Sequence, residues 1–163
     1  MYLNNGIAMP ALGLGTFESE PGQTTYGAVS AALEVGYRLI DTAAFYANEA
    51  SVGRAVTDSG LPRDEIFVTT KLWNDDHGRV RAAFEESLAA LDLDYVDLYL
   101  IHWPMPGRWQ KSWEILCELF EEGHCRAIGV SNFTVADLTD LLEYATVPPP
   151  PFTCAKRALS AEL

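Results

Sequence analysis

Apolar positions along this chain follow two alternating periods. From Thr24 to Val35 they fall at Tyr26, Val29, Ala32 and Leu33, the spacing of a helix that buries one stripe, and Gly36 follows as a stop. Tyr37–Ile40 is then a short apolar run that reads as a strand. The same exchange repeats. Ile66–Thr70, Tyr95–Ile101 and Ala127–Val130 are predicted strands. Predicted helices cover Glu49–Thr57, with Asn48 placed to cap it, and Val80–Leu91, entered near Asp75-Asp76. Two more cover Lys111–Glu121, with Trp113, Leu116 and Phe120 on one stripe and Gly123 closing it, and Val135–Tyr144, with Ser131, Asn132 or Thr134 available as caps. Leu12–Thr16 is short, apolar and glycine-rich, which suits a strand whose end lies close to another group. Ahead of it, Tyr2–Pro10 predicts a small hairpin, with Asn5-Gly6 as a favoured type I′ pair.

The reading is therefore a hairpin followed by five strands alternating with five helices. Near-continuous apolar strands imply a parallel sheet covered on both faces. Such alternation builds either a doubly wound sheet or a (β/α)8 barrel, and periodicity leaves both open.

Composition narrows the function classes. The 163 residues suffice for one domain with a sizeable core, and 48% apolar with 21% charged residues is ordinary for a globular protein. A net charge of -12 argues against an unaided grip on nucleic acid. No apolar run of 18 residues predicts a membrane span, and the start, Met-Tyr-Leu-Asn-Asn-Gly, lacks the features of a signal peptide. Cys117, Cys125 and Cys154 show no C-x-x-C spacing and read as thiols in a reducing, cytoplasmic setting. No histidine–carboxylate cluster at ligand spacing implies a metal site.

Polar residues of chemical interest gather just after the strands: Asp41 after the second, Lys71 after the third, His102 after the fourth, Ser131 and Asn132 after the fifth. Parallel strands bring these ends to one side of the sheet, where α/β proteins place their active sites.

Four segments carry a resemblance to a known family. They are G-Y-R-L-I-D-T-A-A-F-Y-A-N-E (Gly36 to Glu49), V-T-T-K-L-W (Val68 to Trp73), D-L-Y-L-I-H-W-P (Asp97 to Pro104) and R-A-I-G-V-S-N-F (Arg126 to Phe133). In this order and spacing, with G-L-G-T-F at Gly13 to Phe17, they resemble the aldo-keto reductases, in wording most like the bacterial reductases related to 2,5-diketo-gluconate reduction. The resemblance implies the (β/α)8 barrel fold and reduction of aldehydes, ketones or keto-sugars with NADPH, or NADH in its place. It implies that Asp41, Tyr46, Lys71 and His102 form a catalytic tetrad. Tyr46 would be the general acid, its pKa lowered by the ammonium of Lys71; Asp41 would orient Lys71; His102 would point a ring N–H at the substrate oxygen. Thr16, Asp41, Ser131 and Asn132 match cofactor-side positions, and Phe17, Phe45, His102 and Trp103 match the substrate pocket.

The resemblance runs to residue 147 and breaks at Pro148-Pro149-Pro150-Pro151, where family members continue into a sixth strand. Four prolines favour polyproline II over a buried strand. A complete barrel takes about 250 residues. The expectation is an incomplete barrel over residues 1–147, holding about the first five strand–helix units, and a proline-rich, family-unlike tail over 148–163 produced by a frameshift or premature stop near residue 150. The family's later strands supply much of the cofactor grip, so two further readings stand beside the reductase: an inactive fragment, and a cofactor-sensing or interaction module on the same fold. Exposed barrel edges would also favour self-association. The expected partner is otherwise a small carbonyl compound.

Overall fold

The computed structural model describes residues 1–3 and 5–145 together with the backbone of residues 152–155. Its core is a six-stranded, wholly parallel sheet: β1 (Leu14–Gly15), β2 (Leu39–Asp41), β3 (Phe67–Leu72), β4 (Leu98–Ile101), β5 (Ile128–Ser131) and β6 (Phe152–Ala155). Five helices alternate with them: α1 (Gln23–Glu34), α2 (Glu49–Asp58), α3 (Val80–Leu91), α4 (Trp109–Glu121) and α5 (Val135–Tyr144). Each strand pairs with the next in sequence, from β1 to β6. A doubly wound sheet reverses its strand order at a switch point, whereas a (β/α)8 barrel adds strands in sequence order. The sequential order therefore matches the barrel, here in part.

Strand period places the side chains. Leu39, Phe67, Leu98, Leu100 and Ala127 turn inward and cluster with Leu3, while Ile40, Val68, Tyr99, Ile101, Ile128 and Val130 turn outward into the helix layer. Continuing the period of two carries Asp41, Lys71, His102 and Ser131 onto the inner face at the C-terminal ends. On the helix layer α2 and α3 meet so closely that a Cβ on Gly53 would lie 1.8 Å from the Leu91 carbonyl oxygen, so only glycine fits there.

Three expectations change. The N-terminal hairpin forms as a single antiparallel bridge, Tyr2 with Ala8. Its turn is not a two-residue type I′ at Asn5-Gly6, because the closing bonds pair Leu3 with Gly6 and Ile7. Instead the Gly6 N–H donates to the Leu3 carbonyl at 2.9 Å with Gly6 at φ 80°, and the Leu3 N–H donates to Ile7. That is a longer loop in which Gly6 takes the left-handed position. The hairpin lies under the inner face, Ile7 and Met9 packing on its cluster and Asn5 Nδ2 donating to the Arg126 carbonyl at 3.0 Å. Second, Lys71 lies within β3, one residue before its end, rather than after it.

Third, a strand follows the prolines: β6 continues the sheet in register, Ile128 opposite Phe152 and Ser131 opposite Ala155. Phe-Thr-Cys-Ala is a β-favouring run whose residues all keep their N–H groups, because the prolines precede it. The rest of the expected tail, residues 148–151 and 156–163, lies outside the described residues. Of the proposed caps for α5, Thr134 is the one used, in a reciprocal capping box with Asp137.

Candidate active site

Lys71 is the centre of the site. Its side chain is buried, 6% exposed, and its ammonium donates to Asp41 Oδ1 at 2.6 Å and to the Thr42 carbonyl at 2.7 Å. Burial favours loss of the ammonium proton, and the charge of Asp41 opposes it. Tyr46 stands on the 3-10 turn Ala44–Tyr46 that follows β2, with the Lys71 Nζ 5.1 Å from its ring centroid. Its ring meets that of His102 edge-on, with centroids 5.8 Å apart. The tetrad expected from sequence is thus one cluster.

The electrostatics correct one expectation. Burial and then the carboxylate of Asp41 push the Tyr46 phenol up to about 12; it is not lowered by Lys71. The larger cause is burial, which disfavours the phenolate, and the negative charge of Asp41 adds to it. His102 moves the other way. Burial and the nearby Lys71 charge pull its imidazole down to about 4, and its Nδ1 is buried without a partner among the described residues. At neutral pH the phenol and the imidazole are therefore both neutral, beside the paired side chains of Lys71 and Asp41.

Aromatic rings wall the cluster. Phe17 lies 5.2 Å from Tyr46, and Phe45 stacks on Trp73 at 3.8 Å with 20° between planes. Phe17 and Phe45 are exposed, so they form a rim rather than core. Trp103 is 42% exposed and makes no ring contact with the others among the described residues, although it follows His102 directly. Trp73, 5.3 Å from His102, was not among the predicted pocket residues. The signal was available: it is two residues beyond Lys71 and so falls on the same face of the strand.

The expected cofactor-side residues sit around this centre. The Thr16 N–H donates to the Asp41 carbonyl at 2.9 Å. Asn132, at φ 60°, donates from Nδ2 to the His102 carbonyl at 2.9 Å and to Ser131 Oγ at 3.1 Å. That leaves the Ser131 O–H as donor and Asn132 Oδ1 as acceptor, a set complementary to a primary carboxamide. Asn48 departs from its expected role. Its side chain does not cap α2. It is buried and bonded to Thr16, Ser19 and Thr42, and no periodicity signals that. No group of three or more metal-ligating side chains occurs among the described residues, and among them no helix is long and apolar enough to cross a membrane.

The sequence profile of the Aldo/keto reductase family matches residues 11–153. This chain belongs to the aldo/keto reductase family. It is 50% identical over 149 residues to a glyoxal reductase of Bacillus subtilis, the match covering 90% of this chain and 54% of that protein. To a methylglyoxal reductase of Escherichia coli it is 47% identical over 149 residues, again covering 90% of this chain and 54% of the other. Among solved structures, an aldo-keto reductase enzyme from a deep-sea metagenome library superposes with a TM-score of 0.88 at 50% identity, over 96% of this chain and 58% of that one. The chain thus spans about half the length of the curated relatives it matches.

Proposed function

We propose that this aldo/keto reductase chain reduces aldehydes, ketones or keto-sugars to alcohols, with Tyr46 as general acid and NADPH, or NADH in its place, as hydride donor. The names of its relatives direct the choice of substrate toward small dicarbonyls such as glyoxal and methylglyoxal. The observation that carries the reading is the meeting of a neutral phenol, a neutral imidazole and a buried lysine paired with Asp41 at one end of the sheet.

A carbonyl group that accepts a hydride develops negative charge on its oxygen, and fixed donors stabilise that charge. Tyr46 Oη and the His102 ring N–H are the two donors. An alkoxide is a stronger base than a phenolate. The proton therefore leaves Tyr46 once the charge has formed, even though the phenol titrates near 12. His102, neutral because its imidazolium titrates near 4, donates a hydrogen bond from the N–H of the neutral ring and keeps that proton. Lys71, held by Asp41, balances the phenolate left behind. Phe17, Phe45, Trp73 and Trp103 keep water from the reacting oxygen. Ser131 and Asn132 would hold the carboxamide of the nicotinamide, with Thr16 and Asp41 beside the cofactor, which supplies the hydride when bound.

The test is oxidation of NADPH by the purified chain with a carbonyl panel that includes methylglyoxal. We expect Tyr46→Phe to lower turnover by about 10²- to 10⁴-fold at unchanged melting temperature. Turnover that survives the substitution would sink the role of Tyr46. Neither turnover nor NADPH binding would favour the non-catalytic reading.

A further inference from the structure

We propose that Asn48 is a positioning residue that sets Tyr46 over Lys71 by locking the chain behind Tyr46 to the ends of β1 and β2. The proposal deepens the catalytic reading above, and its kinetic consequence rests on that reading.

The Asn48 side chain is 1% exposed and its hydrogen-bonding capacity is filled. Nδ2 donates to the carbonyls of Thr16 at 2.9 Å and Ser19 at 3.0 Å; Oδ1 accepts from the hydroxyl of Thr42 at 2.9 Å and from that of Thr16 at 3.2 Å, which is shared with the Asp41 carbonyl at 3.3 Å. A primary amide offers two donors and two acceptor positions. Aspartate would lose both donors, and leucine all four groups. The partners connect to the tetrad directly. Thr42 gives its hydroxyl to Asn48 and its carbonyl to the Lys71 ammonium, so one residue separates the amide from that charge. Thr16 and Ser19 bracket Phe17, the ring against Tyr46.

Tyr46 needs such help. Its hydroxyl has no hydrogen-bond partner among the described residues, so its ring is aimed by its backbone. Ala47, between it and Asn48, holds φ 54°, a left-handed conformation that a non-glycine residue keeps only when its surroundings over-determine it. The Asn48 bonds lie on one side of that strained link. On the other, Glu49, also buried, accepts from Thr70 Oγ1 at 2.5 Å and pins the first turn of α2 to the strand that carries Lys71.

The experiment uses the full chain carrying labelled tyrosine, with the ring carbon resonances of Tyr46 assigned by their loss in Tyr46→Phe. Thr42→Val keeps shape but removes one hydroxyl bond to Asn48; Thr42→Ser keeps that hydroxyl; Asn48→Ala removes the hub. We expect the Tyr46 resonances to move in Thr42→Val and Asn48→Ala and to return in Thr42→Ser. In the same series kcat should fall by about 10²-fold, as a misplacement of about 1 Å produces, with KM changed far less. Should Asn48→Ala fail to fold, the isosteric threonine pair decides. Unmoved Tyr46 resonances in folded Thr42→Val, or equal shifts in Thr42→Val and Thr42→Ser, overturn the proposal. A wild-type chain without turnover overturns only the catalytic reading, because the resonances still report the lock.

Discussion

Two ionic clusters stand at opposite ends of the same strands and differ in which partner is buried. At the N-terminal ends Asp97, its side chain 1% exposed, accepts from Arg63 at 2.9 Å, from Arg126 at 2.8 Å and from the Val68 backbone N–H at 2.9 Å. These bonds tie the segments before β3, β4 and β5 together, so this cluster is structural. At the C-terminal ends the arrangement is reversed. The buried partner is a cation, Lys71, and its carboxylate, Asp41, is 38% exposed. Beside them His102 Nδ1 is buried without a partner among the described residues, and the half-buried Tyr46 makes no side-chain hydrogen bond among them. A buried polar group left unpaired costs free energy, and such groups persist where a ligand or a reaction completes them. At the bottom of the sheet three donors fill the buried carboxylate, Arg63 Nε alone of that cluster staying unpaired among the described residues, and at the top the polar atoms beside the pair face the aromatic-walled site.

The comparison can be broken most sharply at Asp97. Asp97→Ala leaves two guanidinium groups and a backbone N–H without their acceptor, which should cost about 3 kcal/mol in chemical denaturation, since both arginines keep some contact with water. A loss similar to that of an average surface substitution would show that this cluster is not structural. At the other end the His102 imidazole is depressed in the fold, so between its folded value near 4 and the ordinary histidine value the unfolded chain binds the extra proton. Its contribution is present above the ordinary histidine value and is lost as pH falls. From about pH 7 to about pH 5 the wild type should lose on the order of 1–2 kcal/mol more stability than His102→Asn. Equal acid sensitivity of the two proteins would remove His102 as the cause. The smallest effect is local. Thr134→Ala deletes the cap of α5, just beyond Ser131 and Asn132, and should cost about 1 kcal/mol while leaving the Asp97 cluster intact, as read by hydrogen exchange at Val68.

Much of this was legible along the chain. The helices predicted at Val80–Leu91 and Val135–Tyr144 carry those bounds in the structure, because one buried stripe and a clear stop define them. Asp41, Lys71 and His102 were legible as residues at strand ends, and the strand period alone gives them a shared face. β6 was not, because the prolines before it dominate that stretch of sequence while only its pairing with β5 reveals it. Nor was the tyrosine's electrostatics. An ammonium near a phenol suggests a lowered pKa, and the sign reverses once the burial of the phenol and the charge of Asp41 are seen.

What the sequence determined by itself is local: the two periods, the order of strands and helices, and the residue types delivered to one end of the sheet. These follow from which side chains must leave water and how often they recur. The tertiary structure alone decided which polar atoms meet. Asn48 became a buried hub rather than a helix cap, Trp73 joined the pocket, and Asp97 found partners on three separate segments. Hydrogen bonds reach only about 3 Å, so partners far apart in sequence are settled by packing and not by any pattern along the chain.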